Sequence, residues 1–106
     1  MNDLSEWLEQ QNGGIRTYTE FQRKAYVLAR ENSADAALLA LLGGVAARFA
    51  ARFEGEPLSV DDAAEAITQF KRILHKAIAV AAGNVTEKMD FANDIATYDL
   101  LDARSQ

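Results

Sequence analysis

Residues 38–53 read "LLALLGGVAARFAARF", and the placement of this run decides the fold. Such a segment crosses a membrane, lies inside a core, or faces another protein. Only the twelve residues from Ala36 to Ala47 pass without a charge, against about twenty for a bilayer crossing. Asp35 and Arg48 bound the run, so no membrane span is expected. At helical spacing, Leu38, Leu42, Val45, Phe49 and Phe53 make one stripe of large side chains. Ala36, Ala40, Gly43, Ala47 and Ala50 make a second stripe, small enough for another helix backbone to come close. Each glycine inside a soluble helix costs about 1 kcal/mol relative to alanine. Close packing in return, or a local kink, accounts for that cost.

Outward from this run, the punctuation is helical. Pro57 is the single proline and β-branched residues are scattered, which disfavours strands. Asp3 with Glu6 has capping-box spacing, and Gly13-Gly14 stops a short first helix. Thr17 with Glu20, in "TYTE", opens a second helix to about Asn32. Asn32 and Ser33 cap a third, which Gly55 and Pro57 end. Ser59 with Asp62 opens a fourth, stopping at Gly83-Asn84. Either Asn84 (with Glu87) or Thr86 caps a fifth that runs to about Ala103. On the fourth helix Ile67, Phe70, Ile73, Leu74, Ala77 and Ala81 share an apolar face, opposite Glu65, Thr68, Arg72 and His75. The expectation is an all-α compact bundle of about five helices, a short one followed by four longer ones. It forms one domain over residues 1–106, with an arm at 1–14 and a four-helix core at 17–104.

A bundle of 106 residues has few helices with which to surround an apolar one. Either self-association encloses the third helix, with Ala36, Ala40, Gly43, Ala47 and Ala50 at a homodimer interface, or the second, fourth and fifth helices cover it alone. The first arrangement is favoured here. Alanine-rich helices are also compatible with a ligand pocket between them.

The net charge is −5, from sixteen acids and eleven bases. That balance argues against direct nucleic-acid binding, since phosphate backbones repel it. Acids gather between Glu54 and Glu65 and again after Gly83, and such faces steer a basic protein partner. The absence of cysteine removes thiolate chemistry, disulfides and cysteine-held metals. "MNDLSEWLEQ" has neither a basic n-region nor an apolar h-region, so a signal peptide is not expected and cytoplasm is the expected compartment.

Catalytic groups are sparse, and no cofactor motif is present. His75, the sole histidine, falls on a polar helix face. Histidine phosphotransfer domains place lysine and glycine three and four residues after theirs, whereas Ile78 and Ala79 stand here. One histidine cannot define a serine triad, and neither glycine pair precedes Gly-Lys-Ser/Thr. Glu87, Asp90 and Asp94 share a face of the fifth helix by their spacing, and three carboxylates suit Mg²⁺ or Ca²⁺. A metal-dependent, nucleotide-hydrolysing enzyme is therefore the rival reading. A solvated acidic face explains the same spacing.

"TYTEFQRKAYVLA", the Gly-containing apolar helix after it, and "AAGNVTEKMDFAN" together resemble the all-α nucleoside-triphosphate pyrophosphohydrolases. That family holds Mg²⁺ with a Glu-x-x-Glu pair on one helix and a Glu-x-x-Asp pair on the next. The corresponding positions here are Arg48 and Ala51, then Ile67 and Phe70. The resemblance thus implies a degenerate bundle lacking that activity.

The first helix is the remaining candidate. Leu4, Trp7 and Leu8 form an apolar stripe on an acidic peptide, and tryptophan is favoured at binding hot spots. The stripe either docks in a partner's groove or folds back on its own bundle. The expected function is a small acidic protein-binding module of adaptor, antiactivator or stoichiometric-inhibitor type, without catalysis.

Overall fold

The computed structural model describes residues 1–102 and contains five α-helices. They are α1 (Asn2–Glu9), α2 (Ile15–Glu31), α3 (Ala36–Arg52), α4 (Val60–Ala81) and α5 (Val85–Ala96). The all-α bundle of one short helix and four longer ones stands as the sequence predicts. No helix among the described residues is long and apolar enough to cross a membrane.

Two caps form as the sequence proposes. The Ser59 hydroxyl accepts from the Asp62 amide at 3.1 Å, with Asp61 and Asp62 in the favourable first turn of α4. The Asn84 side chain accepts from the Glu87 amide at 2.8 Å, which settles the choice between Asn84 and Thr86. The other three helix starts differ. Met1, not Asp3, is the N-cap of α1, and Asp3 lies inside the first turn. The second helix begins before "TYTE": Asn12 accepts from the Gly14 amide at 3.1 Å, Gly13 takes φ +84°, and Gly14 becomes the cap. Thr17 is therefore a buried first-turn residue rather than a cap. Asn32 closes a turn onto the Ala34 amide, and α3 starts only at Ala36.

The aromatic centre joins three helices. Tyr18 of α2 stacks obliquely on Phe49 of α3 at 4.6 Å between ring centres and on Phe70 of α4 at 5.5 Å. Phe21 meets Phe70 edge-on at 4.5 Å. These arrangements suit the ring quadrupoles and add to the area term. Tyr18 with Phe49 and Tyr26 with Gly43 run in opposite order along α2 and α3, so the two helices pack antiparallel. A Cβ on Gly43 would lie 2.9 Å from the Tyr26 ring, which gives that glycine its packing reason.

α2 and α5 both pack against α3. Leu38, Leu39, Leu42, Gly43, Val45, Ala46 and Phe49 are buried, while Ala37, Ala40, Arg48 and Ala51 form a narrow exposed ribbon. The chain thus covers most of the apolar helix by itself.

The fifth helix stops at Ala96 rather than near Ala103, a residue that, like Arg104, lies outside the described ones. Side chains from two other helices hold the segment that follows. Arg48 donates to the Tyr98 carbonyl at 2.7 Å and pairs with Asp99 at 3.0 Å. Arg52 donates to the Leu100 carbonyl at 3.1 Å, and the Leu101 amide donates to Gln69 at 3.0 Å. This turn seats Leu100 in the core at 1% exposure.

Candidate functional site

α1 packs on α4 and α2. Its amphipathic spacing turns Leu4 and Leu8 inward, where they are 2% and 1% exposed. They act as core residues, so the stripe is not presented outward as a whole. Gly13 permits the close return of the chain. Its left-handed backbone sits where an added Cβ would be 3.2 Å from Ile67 of α4. Glu9, the last residue of the helix, ties the same end to α4, lying 3.5 Å from Lys71 and 3.4 Å from His75.

Trp7 remains half-buried and borders two concavities. The first, about 300 Å³, lies between α1 and α2 with Leu4, Trp7, Val27 and Leu28 as its apolar wall. Arg23 and Lys24 supply its positive rim and Asp3 its negative one. The Lys24 ammonium sits 5.2 Å from the centre of the indole, within the range of a cation–π contact. The second concavity, about 520 Å³, lies around the start of α2 and includes Arg16, Thr17 and Glu20. Arg23 hydrogen-bonds Glu20 at 2.9 Å, and this bond with its charge holds the Glu20 carboxyl below its ordinary range. Tyr26 and Val27, each 38% exposed, extend the apolar surface along α2.

Val27 and Leu28 are not among the candidates that the sequence offers. The available signal was the triplet Tyr26-Val27-Leu28. Three consecutive large apolar residues span too wide an arc of a helix for all of them to face one core.

The other sequence candidates are dispersed. Of the small stripe, Gly43 is occupied by Tyr26 of the same chain, Ala40 is exposed, and Ala36, Ala47 and Ala50 are half-buried. Glu87, Asp90 and Asp94 are exposed on α5. Among the described residues no three acidic or histidine side chains come together as a metal-binding group. Positions 48, 51, 67 and 70 are equally without acids: Arg48 holds the C-terminal turn, and Phe70 is in the aromatic centre. Compared with protein families, characterised proteins and solved structures, the chain matches none.

Proposed function

We propose that the chain is a small non-catalytic protein-binding module that receives an amphipathic helical segment of a larger protein in the groove between α1 and α2. The observation that carries this reading is Trp7, half-buried on α1 with a concavity on either side and Val27 partly exposed across the first. Tryptophan brings a large contact area with few rotatable bonds, which suits an anchor. A trough between two helices accepts the apolar face of a third.

Local charge specifies the partner further. The chain as a whole carries −5, yet the groove has Arg23 and Lys24 against Asp3. The complementary segment sets acidic residues beside its apolar anchors. This is opposite to the basic partner that net charge suggests, because the acid runs at residues 54–65 and after Gly83 do not line this groove, where Asp3 alone of the lining residues is acidic.

The test is quantitative capture from the source cells with four proteins: wild type, Val27→Asp, Lys24→Glu and the distant control Met89→Asp. The expected result is a partner recovered near equimolar ratio by wild type and Met89→Asp, and lost from both groove variants. A partner retained by Val27→Asp and Lys24→Glu, or no stoichiometric partner at all, overturns the proposal.

A further inference from the structure

A concavity of about 480 Å³ opens between α4, α5 and the residues that follow α5. That is within the range of about 300–1,000 Å³ usual for small-ligand pockets. Ile73, Phe91, Ile95 and Tyr98 make its floor, with Phe91 and Ile95 nearly buried. Arg72 and Lys76, one helical turn apart on α4, form one wall, and the Lys76 ammonium lies 5.9 Å from the centre of the Phe91 ring. Asp94 lines the same space. Among the described residues neither Arg72 nor Lys76 forms an ion pair, with Asp94 or with any other acid. Two cations and one carboxylate therefore stand over an apolar floor, a local excess of positive charge on an acidic chain.

We propose that this concavity binds a small organic monocarboxylate with an apolar body. Its carboxylate lies between Arg72 and Lys76, and its body rests on Ile73, Phe91 and Ile95. A guanidinium presents paired donors that match a carboxylate, and the neighbouring ammonium adds charge. The floor gives a bare inorganic anion nothing to bury, so the ligand carries apolar surface. Asp94 opposes a second negative charge, which selects a monoanion over a dianion. The site does not depend on the protein-docking groove, which uses α1 and α2.

The test is a ¹⁵N NMR titration of the full chain at neutral pH with four probes: 3-phenylpropionate, 3-phenylpropanol, benzylsuccinate and inorganic phosphate. Saturable shifts confined to residues 72–76 and 91–98 are expected with 3-phenylpropionate. The neutral alcohol and phosphate should bind about tenfold more weakly or worse, as expected when charge-assisted hydrogen bonds or apolar contacts are missing. Arg72→Gln combined with Lys76→Gln alters two exposed residues and should weaken 3-phenylpropionate by a similar factor. Asp94→Asn should narrow the preference for 3-phenylpropionate over benzylsuccinate. No saturable shift in this region, equal binding of the alcohol, or undiminished binding by the Arg72/Lys76 double variant overturns the proposal.

Discussion

Tyr18 carries a hydroxyl that is buried and without a hydrogen-bond partner among the described residues. Burial also pushes its pKa upward, since the phenolate would have to leave water. An unsatisfied buried polar group costs about 1–3 kcal/mol, while the ring itself is needed between Phe49 and Phe70. Tyr18→Phe is therefore expected to raise stability by about 1 kcal/mol in urea denaturation. A loss of that size instead would mean that the hydroxyl is satisfied. The two glycines of α3 separate in the same way. An added Cβ at Gly44 would make ordinary contact with Arg48 at 3.4 Å, whereas at Gly43 it meets the Tyr26 ring at 2.9 Å. Gly44→Ala should stabilise by about 1 kcal/mol. Gly43→Ala should gain less than that unless Tyr26→Ala is present, and a double-mutant cycle measures the difference. The sequence signals that a glycine in a helix needs a reason. Which partner supplies it depends on how α2 lies across α3, and no local pattern records that.

Helix ends differ in how plainly they can be read. Ser59 and Asn84 cap as their spacing predicts because a side-chain oxygen and an amide three residues later are coupled within one turn. The start of α2 lies ahead of the expected Thr17 because Asn12, Gly13 and Gly14 compete with Thr17 for the same role, and the left-handed Gly13 decides it. The end of α5 departs from the expected one for a different reason. Arg48, Arg52 and Gln69 are about thirty to fifty positions away in sequence and redirect residues 98–101 into a turn. Leu100 is the apolar anchor of that turn, so Leu100→Ala should cost about 2–4 kcal/mol. The midpoint of chemical denaturation should shift accordingly. A shift too small to resolve would mean that the turn does not contribute to the core. Gln69→Ala leaves the Leu101 amide without its partner and should destabilise by about 1–2 kcal/mol.

At the scale of the molecule, the order of helices and the apolar face of α4 were legible, because period and caps are local properties. The groove was not. The chemistry of Trp7 marks it in the sequence, but Leu4 and Leu8 share its stripe, and only tertiary packing separates the two core residues from the half-buried one. The sign of charge at the groove was equally hidden, since −5 summed over the chain says nothing of where Arg23 and Lys24 fall. Deletion of the arm is a poor probe of binding, because it removes Leu4 and Leu8 from the core together with the contacts of Glu9 to Lys71 and His75. Val27→Asp is the better one. Its effect on stability should stay within about 0.5 kcal/mol, as for an ordinary surface change, while partner binding is lost.

The most direct measurement is amide hydrogen exchange on the free chain and on the chain saturated with its captured partner. Docking in the groove predicts added protection confined to residues 3–9 and 23–28. Protection centred on α5, or on the exposed ribbon of α3 at Ala37, Ala40 and Ala51, would contradict it.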